Sequence, residues 1–268
     1  MPEREYDPDR FKDASRYYTS GRPPYPRLLA RRVATLVGLS AEDQVLDLGT
    51  GPGFLAIDFA PLAKTVVGVD PSSDMLVEAA RNAAEAGVTI ELMAGSSYDL
   101  GPHLGHFKLV TIGRAFHWMD REATLKALDP LIEPGGAVAL LRTAQPEVPA
   151  NAWNAEFRAV IDRHTGDEAA GRWREATRDQ EAVLLRSAFD HLERVAVFEK
   201  RRTPIARFVD RALSFSTAWR GGAGSPEAAL PVEIRRVMAP YADGEGLVSE
   251  IVEGQALVAR RSVDFVAG

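Results

Sequence analysis

The chain has 268 residues, 46% of them hydrophobic, which is enough apolar material for one large domain or for a core domain with a substantial insertion. A formal net charge of -6 and a pI near 5.5 argue against a nucleic-acid partner, whose binding normally leaves a basic stripe. With no cysteine there is no disulfide and no thiolate metal site; the histidines are scattered, His103 and His106 share a loop without nearby carboxylates, and neither the charged start Met1-Pro2-Glu3-Arg4-Glu5 nor any apolar run has the form of a signal peptide or a membrane span, so a cytoplasmic, metal-free protein is expected.

In chain order, Leu28, Leu29, Val33, Leu36 and Val37 recur at helical spacing after Pro26, and Gly38 ends the run. Gln44 to Leu48 is a short apolar run stopped by Gly49, Gly51 and Gly53, and Phe54 to Leu62 is helical, which makes a strand, a glycine turn and a helix. Thr65 to Val69 is a second β-branched run closed by Asp70-Pro71, after which Met75, Leu76, Ala79, Ala80 and Ala83 mark one helix face. Thr89 to Met93, Leu109 to Ile112 and Ala137 to Leu141 supply three more strands, the last two separated by a helix from Arg121 to Leu131. Such alternation predicts an α/β fold on a mostly parallel sheet with helices on both faces.

After Arg142 the texture changes to a helical insertion or cap: Trp153, Phe157, Val160, Ile161 and His164 form a stripe, and Ala169 to Ser187 continues as mostly helix. Strands return at Leu192 to Glu199 and Leu247 to Val258, predicted to pair antiparallel at the sheet edge, with helices around Ile205 to Trp219 and Glu227 to Tyr241. Gly221 to Pro226 reads as a loop, and Arg201-Arg202 and Arg260-Arg261 read as solvated strand ends.

Val45-Leu46-Asp47-Leu48-Gly49-Thr50-Gly51-Pro52-Gly53 sets three glycines between a strand end and a helix start. Without Cβ atoms such a turn lets a ligand meet bare backbone, and the helix start offers N–H groups to a carboxylate or phosphate. Asp70 closes the next strand, where two carboxylate oxygens can accept from both hydroxyls of a ribose. The two features together imply a nucleoside ligand and leave both a nicotinamide dinucleotide and S-adenosylmethionine (SAM) open.

The surrounding residues resemble the class I SAM-dependent methyltransferases. In that family the glycine turn is commonly preceded by an acid and often contains proline, as Asp47 to Gly53 does, and the second strand runs into a segment like Val69-Asp70-Pro71-Ser72-Ser73-Asp74-Met75-Leu76, whose methionine typically packs on adenine. Gly95-Ser96-Ser97-Tyr98-Asp99-Leu100 corresponds to a third family segment with one departure: the acid that usually reads the adenine amino group falls at Ser96, so Ser96 or Ser97 would substitute with a hydroxyl or backbone contact. Arg114-Ala115-Phe116-His117-Trp118-Met119-Asp120 and Glu133-Pro134-Gly135-Gly136 look like the small-molecule branch that includes trans-aconitate methyltransferase-like proteins, and Tyr17 to Pro26 resembles that branch's N-terminal lid. The resemblance is specific from about Phe11 to Arg142 and topological beyond.

The resemblance implies a Rossmann-like seven-stranded sheet, SAM as cofactor, S-adenosyl-L-homocysteine (SAH) as product and a small-molecule methyl acceptor, with no membrane partner and a monomer or homodimer as the assembly. Around the cofactor it would place Tyr18, Arg22, Asp47, Gly49, Thr50, Gly51, Gly53, Asp70, Pro71, Met75, Ser96, Ser97, Arg114 and Phe116, with Arg22 a candidate for the methionyl carboxylate. Around the acceptor it would place His117, Trp118, Phe215 and Trp219. His117 is either a general base or a packing histidine, and the Phe208, Phe215 and Trp219 stripe is either core or acceptor wall. Rival readings keep the cofactor but decarboxylate or cyclise, use a nicotinamide cofactor, or make the chain a non-catalytic partner. The organisation expected is residues 1–145 as lid and cofactor core, 146–188 as helical cap, and 189–268 as completion of the sheet with helices lining an acceptor pocket.

Overall fold

The computed structural model describes residues 15–165, 179–214 and 226–262. Its elements run α1 (Ser15–Gly21), α2 (Arg27–Val37), β1 (Gln44–Leu48), α3 (Phe54–Phe59), β2 (Thr65–Asp70), α4 (Ser73–Ala86), β3 (Glu91–Ala94), β4 (Phe107–Gly113), α5 (Arg121–Leu128), β5 (Ile132–Ala144), α6 (Asn154–Thr165), α7 (Gln180–Leu185), β6 (His191–Pro204), α8 (Ile205–Leu213), α9 (Pro226–Met238) and β7 (Leu247–Arg260). One seven-stranded sheet orders the strands β3-β2-β1-β4-β5-β7-β6, parallel through β5 and with antiparallel strands at the far edge. The order reverses between β1 and β4, the switch point at which open α/β sheets receive ligands.

By internal contacts the chain divides into two compact units, Met1–Pro24 with Gln145–Ala176 and Phe198–Glu253, and Tyr25–Ala144 with Thr177–Val197 and Gly254–Gly268. The division falls within β6 and β7, and it groups the N-terminal residues with the helical segments rather than with the strands that follow them in sequence.

In the second unit the period-two alternation of buried strands sorts the core onto two faces. Val45, Leu109, Ala137, Ala139 and Leu141 pack with Leu29 and Val33 of α2 and Phe59 of α3. Their neighbours Leu46, Leu48, Val110, Ile112, Val138 and Leu140 pack with Leu125 and Leu128 of α5 and with Val183 and Leu184 of α7. Local signals set the helix ends: Ser72 accepts from the Met75 N–H and Asp120 from the Ala123 N–H, and Gly38 closes α2 in the left-handed conformation.

Several boundaries differ from the sequence reading, each for a local reason. On α4, Met75, Ala79 and Ala83 are buried, whereas Ala80 is exposed, so the apolar face is a single row. β3 begins at Glu91 instead of Thr89. β5 extends back through Pro134 to Ile132, which the sheet accommodates with an irregularity in register between Phe107 and Leu109 of β4. The arginine pairs at the strand ends are clasps: Arg201 pairs with Glu199, Arg202 with Asp243 and Glu245, Arg260 with Glu193, and Arg261 with Asp129. The cap segment from Ala169 through residue 178, together with Phe215, Trp219 and the glycine-rich loop at 221–225, lies outside the described residues.

The core of the first unit is an edge-to-face cluster of Trp153, Phe157 and Phe208, with ring centroids 4.7 to 6.0 Å apart, backed by Leu230, Ile234 and Met238 of α9. Phe208 is therefore core. Beside it lies a buried ion pair. Arg211 donates to both Glu250 oxygens at 3.0 and 3.1 Å and to the Gly21 carbonyl at 3.3 Å, while Thr203 donates to Glu250 at 2.6 Å. Both charged residues are almost fully buried. The Arg211 guanidinium also lies 4.6 Å from the Phe208 ring. A Cβ on Gly21 would come within 2.3 Å of the Asp210 backbone, so glycine permits the close approach of α1 to α8.

Because desolvation cancels much of a buried pair's attraction, losing one partner costs far more than losing both. Glu250→Ala is expected to lower unfolding free energy by about 3–5 kcal/mol, with the Arg211→Met, Glu250→Leu double variant recovering most of that loss. Denaturant titration of the variants checks this, and a double variant as unstable as the single one would contradict it.

Candidate functional site

The turn leaving β1 is held in a shape that only glycine adopts easily: Gly49, Gly51 and Gly53 have φ of 70°, 54° and 81°. A Cβ on Gly49 would also lie 2.6 Å from the Ala115 Cβ, and one on Gly53 would meet Ala79 at 3.2 Å. At Gly51 nothing among the described residues lies within 4 Å of the Cβ position, so the backbone is bare there. The Gly49 and Thr50 N–H groups donate to the Val69 carbonyl at 2.8 and 3.0 Å, fastening the turn to the end of β2.

Beneath the turn lies Asp47, in register with Gly68 on β2 and Thr111 on β4. The missing side chain at Gly68 makes room for Thr50, whose Oγ1 would stand 3.0 Å from a Cβ there. Thr50 and Thr111 donate their hydroxyl protons to the two Asp47 oxygens, at 2.6 and 2.7 Å. Burial pushes the Asp47 carboxyl up to about 6; the threonine bonds and the Ala56 backbone N–H pull it down, and the charge of Asp70 adds to the rise.

Asp70 closes β2 with 8% of its surface exposed. One oxygen accepts from the Gly51 N–H at 2.8 Å and the other from the Ser72 N–H at 2.9 Å. Burial raises this carboxyl, and the two backbone bonds oppose the rise. A carboxylate has about four acceptor positions, so each oxygen keeps room for one more donor. Two hydroxyls on adjacent carbons, as on a ribose, fit that requirement, and the open space over Gly51 lets them approach.

The other expected cofactor residues of the second unit cluster on the same sheet edge. Pro71 and Ser72 lead into α4, whose first turn carries the buried Met75. The Gly95 N–H donates to the Asp70 carbonyl at 3.2 Å, which brings the Ser96 to Asp99 loop to the end of β2. Within that loop the Ser96 hydroxyl and N–H both donate to Asp99, each at 2.7 Å, and hold its carboxyl below the usual carboxylate range; Ser97 is half-buried.

Past β4, Arg114 adopts φ of 57°, uncommon for a residue with a side chain. Its N–H donates to the Leu141 carbonyl at 3.0 Å, and its guanidinium sits 4.8 Å from the Tyr25 ring and 5.8 Å from the Phe54 ring. Phe116 is buried in the core with Leu125 and Leu128. His117 is half-buried with its ring 4.4 Å from that of Trp118, and Trp118 remains 36% exposed. In the first unit, Arg22 lies 5.3 Å from the Tyr18 ring and donates to the Ser214 carbonyl at 3.3 Å. Among the described residues no group of three or more His, Asp or Glu is arranged to hold a metal, and no helix is long and apolar enough to cross a membrane.

Sequence reasoning passed over Thr111, Gly68, Tyr25, Phe54 and Asp99. For two of them a signal was present: a hydroxyl in the apolar run Phe107-Lys108-Leu109-Val110-Thr111-Ile112-Gly113, and a glycine in the β-branched run Thr65-Val66-Val67-Gly68-Val69.

Residues 45–136 match a family model described as a methyltransferase domain. Over those residues the chain is similar to methyltransferase domains. Similar curated proteins include a demethylmenaquinone methyltransferase of Thermus thermophilus, 33% identical over 50% of this chain and 61% of that protein. A ubiquinone/menaquinone biosynthesis C-methyltransferase of Bdellovibrio bacteriovorus is 31% identical over 46% of this chain and 53% of that protein. This chain thus spans less than two thirds of either relative. A solved SAM-dependent methyltransferase of Geobacter sulfurreducens, crystallised with SAH, shares the fold with a TM-score of 0.55 at 18% identity, covering 95% of this chain and 99% of that one.

A carboxyl raised by burial makes folding cost more once it ionises. The Asp47 contribution to stability is complete below its ordinary 3.8 and is lost as pH rises through about 6. Asp47→Asn removes this dependence, so the variant should gain about 2 kcal/mol on the parent chain between pH of about 4.5 and about 8. Denaturant titrations at the two pH values test this, and a stability difference that does not change with pH contradicts it.

Proposed function

We propose that this chain passes the methyl group of SAM to a small organic molecule by in-line displacement, leaving SAH. The observation that carries the reading is the Asp70 carboxylate, anchored by one backbone N–H on each oxygen beside the open backbone of Gly51. When bound, SAM supplies an electrophilic methyl group on a sulfonium. The chain's own work is to grip and orient: Asp70 accepts the ribose hydroxyls, the bare turn admits the ligand, and Met75 and the Ser96 to Asp99 loop flank the adenine side. Holding reactants in line is worth on the order of 7–11 kcal/mol in well-oriented systems, so no covalent intermediate is needed.

On the acceptor side, Trp118 offers an exposed flat ring beside His117. The names of the quinone-pathway relatives and the resemblance to trans-aconitate methyltransferase-like proteins agree on a small organic acceptor. A phenol or carbon acid of the quinol type needs its proton removed, and His117 is the base we assign to it; a carboxylate acceptor needs no base.

Calorimetric titration should give saturable binding of SAM and SAH and none of NADH. Asp70→Ala, which removes two charge-assisted hydrogen bonds, should weaken SAH about 10- to 100-fold with the fold intact. Absence of heat with SAM and SAH in folded protein rejects the reading, and SAH formed in step with methylated product separates methyl transfer from decarboxylation or cyclisation. His117→Ala should slow turnover of a quinol-type acceptor while SAH affinity stays within about twofold; unchanged turnover removes His117 from the chemistry.

A further inference from the structure

Thr111 is fully buried at the centre of the parallel sheet, where an apolar side chain would be the ordinary occupant. Its hydroxyl donates to Asp47 at 2.7 Å, and Oγ1 also stands 3.4 Å from the Leu46 carbonyl. Thr50, on the glycine turn, donates to the other Asp47 oxygen. Asp47 is therefore a fork with one prong on the turn and one on β4, the strand that leads into Arg114, His117 and Trp118.

We propose that Thr111 is a positioning residue for the cofactor turn: through Asp47 it fixes Thr50, and with it the backbone of Gly49 to Gly51 that presents the Gly51 N–H to Asp70. Its functional readout rests on the methyltransferase reading, whereas its structural readout does not.

The charge on Asp47 depends on these hydroxyls. The charged group facing it is Asp70 from β2, of the same sign; β4 contributes Thr111, and α3 contributes the neutral Ala56 N–H. Among the described residues no cation is one of the groups that act on it. Replacing Thr111 by valine keeps the shape, removes one donor to the buried carboxylate, and favours its protonated form. A protonated Asp47 accepts from the remaining Thr50 hydroxyl more weakly than the carboxylate does, and either oxygen can face it, so the turn loses its fixed anchor. The turn then loosens at a pH where the parent chain holds it.

The test compares the parent chain with Thr111→Val and Thr111→Ser by two measurements: hydrogen exchange of the ligand-free peptide spanning 44–55, and SAH affinity from about pH 6 to about pH 9. Thr111→Val should speed exchange in that peptide and weaken SAH about tenfold near neutral pH, with the loss shrinking as pH rises. Thr111→Ser, which restores the donor, should stay within about twofold of the parent chain. In an Asp47→Asn background, where this carboxyl no longer titrates, Thr111→Val should leave the pH profile unchanged from that background; this comparison also serves if the single valine variant folds poorly. Unchanged exchange and an unchanged pH profile in Thr111→Val, or a serine variant as impaired as the valine one, overturns the proposal. If the parent chain binds no SAH while valine still speeds exchange and serine rescues it, the positioning role stands and the methyltransferase reading falls.

Discussion

A carboxylate buried without a cation underlies the arrangement of the whole sheet edge. Asp47 sits where β1 ends and the chain must reverse direction, and among the described residues two threonine hydroxyls are what its oxygens receive from side chains. Hydrogen bonds to a buried anion are stronger than those between neutral groups, so they fix the angle at which Thr50 leaves the strand more firmly than a neutral contact would. Val69 then takes two turn N–H groups through its carbonyl, and Asp70 takes a third. Removing the charge at the base would leave the upper contacts resting on glycines, which have little conformational preference of their own.

The same edge concentrates backbone that is costly elsewhere. The three turn glycines and Arg114 all have positive φ, and all stand at the C-terminal ends of β1 or β4. The glycines adopt it without strain, whereas at Arg114 it is strained, and such strain persists only where the surroundings over-determine it. Here the constraints are identifiable: an Ala115 methyl against Gly49, Ala79 against Gly53, and the Leu141 carbonyl and two aromatic rings around Arg114. A five-strand parallel block supplies the support, and these positions border the open space over the bare backbone of Gly51.

Much of this was legible in the sequence because it is encoded locally. Val45 to Gly53 and Val69 to Leu76 each carry a strand end, a turn and a helix start in consecutive residues, and β1 and α2 fall within a residue of where periodicity puts them. What escaped is encoded by register. Thr111 lies 64 positions from Asp47, and their pairing depends on β1 and β4 being neighbours, which chain order does not specify. Gly68 reads as a weakness in a strand until Thr50 is known to need its space. Where the family's usual acid would fall stands Ser96, whose hydroxyl and N–H bond to Asp99 three residues on, a loop closure that composition does not reveal.

The two units use buried charge in opposite ways. Arg211 and Glu250 neutralise each other, with Thr203 and the Gly21 carbonyl completing the shell, so the pair specifies how α8, β7 and the end of α1 meet. Among the described residues no cation neutralises Asp47 in this way, and its ionised form, kept at a cost to folding, accepts from both threonines more strongly than the neutral acid would. A neutral asparagine would relieve that cost while losing the double acceptor. The chain thus holds a stability penalty where it shapes a turn and a compensated pair where helices pack.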